Sequence, residues 1–134
     1  MTVFVWATAM AIQAAPVPSA PVPRPDWQVV SSAGGLTVYL DPASSRRSGD
    51  VVRIAIHSIA AEPSEGGMTA ISVLMAFNCR LRTVAMVEAH AFGPGGLHLE
   101  GGQAPPEERR VRRWEGSEEE EIARRACAVQ PAAR

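Results

Sequence analysis

Residues 38–50 read VYLDPASSRRSGD. Two aspartates, a serine pair and an arginine pair fall within this run, so it is either a reactive cluster or a strand running into a turn. Local chemistry favours the turn. The strand LTVYL is ended by Asp41 and Pro42: the residue before a proline avoids the helical region, and proline presets φ for a turn. Ser44, Ser45, Ser48, Gly49 and Asp50 are turn formers, which leaves Arg46 and Arg47 as the only long side chains at the bend. The next run, VVRIAIHSIA, alternates as a half-buried strand does. Val52, Ile54 and Ile56 share one face, and Arg53, Ala55 and His57 share the other.

The same pattern extends outward in both directions. WQVVSS is a short first strand turned by Gly34 and Gly35. After the turn EPSEGG, MTAISVLMAFNC reads as a fourth strand with Ile71, Val73, Met75, Phe77 and Cys79 on one side. RLRTVAMVEAHAF is a fifth, either separate from the fourth or continuous with it through a bend near Asn78, and GPGG breaks it. Short strands at 97–99 and 110–114 complete the sheet, with GGQAPPEE between them as a polar loop. SEEEEIARRACAV differs in kind and reads as one helix. Ser117 is its N-cap, with Glu120 at the capping-box position. Glutamates fill the first turn and arginines follow, which suits the helix dipole. Glu120–Arg124 and Glu121–Arg125 are i,i+4 pairs. Ile122, Ala123, Ala126, Cys127 and Val129 form the inward stripe, and Pro131 stops the helix. The glutamate run is thus a solvated helix start, and the fold class is α+β.

The chain has 134 residues, enough for one domain, and 46% of them are apolar. Aromatics make up only 5%, so the core rests on aliphatic side chains. All 13 basic residues are arginine, so arginine also does the solubility work of lysine and its clusters carry less meaning. Net charge is −1, which gives no global pull toward nucleic acid or an anionic membrane. Residues 1–15, MTVFVWATAMAIQAA, are apolar but too short to span a bilayer as a helix. They read as an export signal that lacks its preceding basic residue; the alternative is a buried N-terminal element. Five prolines in residues 16–25 mark an extended linker, and the domain occupies 26–130.

Cys79 ends the fourth strand and Cys127 lies on the inward stripe of the helix. Two core-facing cysteines in an exported chain favour a disulfide; two buried thiols or a catalytic thiol are the alternatives. Neither cysteine has a histidine base nearby in sequence, and CxxC is absent. The bridge would close a loop of 48 residues, worth about 4 kcal/mol by loop entropy before strain.

Other chemistry finds little support. His90 and His98 are eight apart across the GPGG break, and His57 is remote, so no tight ligand pair, metal or cofactor is expected. No G-x-S-x-G elbow or phosphate loop occurs. The run RRVRR at 109–113 has only Trp114 beside it, whereas nucleic-acid binding calls for interleaved aromatics and a basic domain. It reads as an edge strand guarded by charge, or as a contact for an anionic envelope component or a protein.

Taken in order, W…VYLDPASSRRSGDVVRI…NCRLR…WEGS…C resembles the surface-adhesin protein E family of Gram-negative bacteria. The matching positions are Trp27, Tyr39, Asp41, Pro42, Ser45, Arg47, Gly49, Cys79, Arg80, Arg82, Trp114, Gly116, Ser117 and Cys127. Asn78 and Glu115 depart from the residues common there. The resemblance covers residues 27–127 and implies a six-stranded antiparallel sheet with a C-terminal helix tied to its face by a disulfide. It also implies export to the periplasm or outer-membrane surface. Some family members bind host plasminogen, vitronectin or laminin and can dimerise; those ligands are not carried over, and a homodimer stays open. The expected function is a non-enzymatic envelope binding module, with Arg46, Arg47, Arg80, Arg82, Arg109, Arg110, Arg112 and Arg113 as candidate contacts. The alternatives are a structural or stress-related envelope protein with no dedicated ligand, and an enzyme using His57 or His90 with a carboxylate.

Overall fold

A computed structural model describes residues 18–129. The expected export segment, the first two linker residues and Pro131 lie outside the described residues. Among the described residues seven strands form one antiparallel sheet: β1 Gln28–Ala33, β2 Leu36–Ser48, β3 Val51–Ala60, β4 Ala70–Asn78, β5 Thr83–Phe92, β6 His98–Gln103 and β7 Arg112–Arg113. Helix α1, Gly116–Ala128, follows. Strands β1 to β6 lie side by side in chain order, and β7 pairs the stretch of β5 that β6 leaves free. The α+β expectation therefore holds, including the helix and the bridge.

The run 38–50 is not a turn at Asp41 and Pro42. Strand β2 continues through it to Ser48, and the pairing with β3 slips between Asp41 and Arg46. Proline cannot donate to a ladder and is tolerated in a strand at such a bulge. Ser44 repairs the gap: its Oγ accepts the Ala55 N–H at 2.8 Å and donates to the Asp41 carbonyl at 2.7 Å. Arg46 and Arg47 are consequently strand residues opposite Arg53 and Val52, not bend residues. The reversal comes later, at Gly49 and Asp50, where Gly49 takes φ +58°.

Three further boundaries differ from the sequence pattern. Residues 79–82 form a turn rather than the start of a strand, because the Asn78 side chain accepts the N–H groups of Arg80 and Leu81 at 3.1 and 2.9 Å. Gly101–Gln103 belongs to β6, not to a loop. Helix α1 has Glu115, not Ser117, at its N-cap, and the Glu119 carboxylate accepts the Glu115 N–H at 2.8 Å. Glu120 pairs with Arg82 rather than Arg124, while Glu121 takes Arg125 at 2.9 Å.

One face of the sheet carries the core. Leu40, Val52, Ile54, Met75, Phe77 and Val84 pack against Ile122, Ala123 and Ala126 of α1. Phe77, Leu40, Ile54, Val52 and Val84 are fully buried, each stabilising the fold by roughly 1.5–3 kcal/mol. Ala123 and Ala126, both 0% exposed, let the helix approach closely. Cys79 and Cys127 form a disulfide with Cα atoms 5.9 Å apart. Replacing both cysteines by serine is expected to cost about 2–4 kcal/mol and lower Tm by on the order of 10 °C. Thermal denaturation followed by circular dichroism measures this; an unchanged Tm would assign the helix's attachment to packing alone.

Candidate functional site

The candidate arginines do not form one patch. Arg46 bonds back to the Ser45 and Ala43 carbonyls, and Arg47 donates to the Cys127 carbonyl at 2.7 Å, a favourable place for a cation at a helix C-terminus. Arg80 pairs with Asp50 at 2.9 Å across two neighbouring turns. Arg112 holds Glu119 through two bonds of 2.6 Å each. Burial at the helix start works to raise the Glu119 carboxyl, but Arg112 and the Glu115 N–H outweigh it and hold Glu119 below its ordinary range. Arg109 and Arg110 lie in an exposed turn that leaves the sheet after Ala104.

What the structure does gather is a hollow of ≈ 340 Å³ beside the disulfide, lined by Arg80, Leu81, Arg82, Arg113, Trp114 and Glu120. The 79–82 turn and β7 build it together. Arg82 closes the turn at φ +56°, and its carbonyl accepts the Trp114 N–H at 3.2 Å. The Arg82 guanidinium stands over the Trp114 ring at 5.2 Å and reaches Glu120 at 2.8 Å. Trp114 is fixed in turn by its Nε1–H donating to the Thr83 carbonyl at 2.9 Å. Arg113 makes no ion pair among the described residues, and Leu81 is 54% exposed. Two locked cations, one unpaired cation, an aromatic ring and an exposed aliphatic side chain together suit an acidic partner with an apolar element.

The face opposite α1 holds a polar row that the sequence does not announce. Register sets Tyr39, His57, Ser72, His90 and Gly101 side by side across β2 to β6. Trp27 stacks on His57 with ring centroids 4.4 Å apart. His57 Nδ1 shares a 2.7 Å hydrogen bond with Ser72 Oγ, and its Nε2 lies 3.8 Å from Asp41. These are the residue types of a hydrolytic triad, but Ser72 sits mid-strand in β4, whose backbone N–H groups are committed to ladders on both sides. Those N–H groups are not free to form an oxyanion hole beside Ser72, and the three side chains link β2, β3 and β4 on this face. Residues 19–24 of the proline-rich segment lie over it, beside Trp27, Asp41 and His57.

The sequence reading finds no tight ligand pair among the histidines, and the structure brings two of them into contact. His90 Nδ1 and His98 Nε2 are 3.0 Å apart, because a short hairpin through Pro94–Gly96 places them diagonally across β5 and β6. The even spacing of eight around that break was the signal for it.

A family model described as surface-adhesin protein E matches residues 27–128. No curated protein and no solved structure gives a significant match.

Burial holds the His57 pKa below its ordinary 6.5; nearby Asp41 offsets this in part, and Arg24 adds to it. The unfolded chain therefore takes up a proton on this ring before the folded chain does. Stability from His57 is full above about pH 6.5 and is lost as pH falls through the depressed value. The ring should titrate below 6.5 by NMR, and His57→Gln should flatten the acid limb of the stability–pH profile. A ring titrating at or above that value contradicts the assignment.

Proposed function

The chain belongs to the surface-adhesin protein E family, and from that premise we propose that it is an exported, non-enzymatic binding module of the cell envelope. Its disulfide suits an oxidising compartment. Among the described residues no helix is long and apolar enough to cross a membrane.

The observation that carries the reading is the hollow of Arg80, Leu81, Arg82, Arg113 and Trp114. Its aromatic and two of its cations, Arg80 and Arg82, are held in place before any partner arrives, so less side-chain entropy is lost on binding. The partner class is an acidic protein segment or an anionic envelope component. Arg110 and Arg112 are less suited: one stands apart in the 105–110 turn, and the other is committed to Glu119. A homodimer using the same face is compatible with this reading.

Binding to an immobilised polyanion such as heparin, and to vesicles containing anionic lipid, distinguishes glycan from lipid. Affinity is expected to fall several-fold between 0.1 and 0.5 M salt, since the Debye length shrinks from about 10 Å toward 4 Å. Arg80→Ala with Arg113→Ala should weaken binding about tenfold, whereas Arg110→Ala should leave it nearly unchanged. Equal loss in all arginine variants would point to diffuse charge and sink the hollow as the site.

A further inference from the structure

The geometry points to a divalent transition-metal site on the β5–β6 hairpin, with His90 Nδ1 and His98 Nε2 as its two protein ligands and Glu88 as the carboxylate that orients His90. Three observations converge on it. The first is the 3.0 Å approach of the two ring nitrogens. Neither ring is fully buried; the His90 side chain is 16% exposed, and β6 lies at the edge of the sheet.

The second is Glu88. Its Oε1 lies 2.6 Å from His90 Nε2, and a carboxylate can only accept, so Nε2 carries the proton. In the neutral ring Nδ1 is then a lone pair, aimed at His98. A carboxylate on the far nitrogen of a histidine is the usual outer support of a metal-bound imidazole; it fixes the tautomer and raises the ring's basicity. Without a metal, His98 Nε2–H donates to His90 Nδ1. With one, that proton sits on His98 Nδ1 instead, and both rings turn until their lone pairs meet at an ion set to one side of the line between the two nitrogens.

The third is Gly101, directly opposite His90. A Cβ there would stand 2.9 Å from His90 Nδ1 and 2.3 Å from the Ala89 carbonyl oxygen. Glycine at φ +136° leaves the liganding edge of His90 uncovered. Behind the pair, Phe92 packs on the His98 ring at 5.5 Å between centroids.

Two imidazole nitrogens suit Cu²⁺, Ni²⁺ and Zn²⁺ alike, and the ordinary order of divalent affinities puts Cu²⁺ first. Among the described residues no group of three or more His, Cys, Asp or Glu side chains converges as a ligand set, so water completes the coordination and an exchangeable position stays open.

The test uses the untagged full chain titrated with Cu²⁺, Ni²⁺ and Zn²⁺ by calorimetry, and electron paramagnetic resonance of the Cu²⁺ form. One equivalent of Cu²⁺ should bind, with hyperfine structure from two imidazole nitrogens, and more tightly than Ni²⁺ or Zn²⁺. His98→Ala should weaken Cu²⁺ at least tenfold and remove one nitrogen from the spectrum. Glu88→Gln should weaken it about tenfold while keeping both nitrogens, and His57→Gln should change nothing. Melting curves verify that the variants fold, and the wild-type nitrogen count stands without any variant. No saturable binding, a single-nitrogen wild-type spectrum, or binding lost in His57→Gln and retained in His98→Ala would each overturn the assignment.

Discussion

Helix α1 stays on the sheet because a covalent bond and two alanines act together. A helix of 13 residues is marginal in water by itself, so its existence depends on what it docks against. Ala123 and Ala126 bring its axis close to Leu40, Ile54 and Phe77, and the Cys79–Cys127 bridge holds its last turn to the end of β4. Its first turn is pinned separately, by Arg112 on Glu119 and Arg82 on Glu120. Such exposed ion pairs contribute little each. Their effect is positional: they determine where β7 and the 79–82 turn stand relative to the helix, and so they shape the hollow between Arg80 and Trp114. Fold and candidate site are thus products of the same clamp.

Sequence legibility follows the range of the interactions involved. The alternation in VVRIAIHSIA marks β3 to the residue, because a strand buried on one face writes period two into its own side chains. Cys79 and Cys127 are legible as a pair because both fall on inward positions. The end of LTVYL is misjudged for a specific reason. Proline chemistry is local, but the hydroxyl that repairs the ladder, on Ser44, is matched to an N–H on Ala55 eleven residues away. The helix start is misjudged likewise: Ser117 is a good cap in isolation, yet Glu119 is drawn toward Glu115 and Arg112 by tertiary packing. The histidine pair escapes a search for close spacing because its proximity belongs to a hairpin, not to a helix turn.

The arginines show how composition can mislead about field strength. The loop-rich end of the sheet is dense in guanidinium groups, but Arg80, Arg82 and Arg112 each meet a carboxylate, leaving little net potential at a distance. A chain with formal charge −1 has no reason to steer anions from afar. Recognition there would work at contact range, through shape, the Trp114 ring and a few positioned donors, and its specificity would lie in dissociation rather than encounter.

The position of the exposed 105–110 turn has a final consequence. Arg109 and Arg110 present an obvious target for a trypsin-like protease. Both lie within the covalent ring that Cys79 and Cys127 close. A nick there would open the backbone without releasing a fragment: the C-terminal helix would remain tethered through sulfur and seated on the same aliphatic face. Wherever a trypsin-like protease meets it, the molecule would be cut at this exposed loop and still keep its shape.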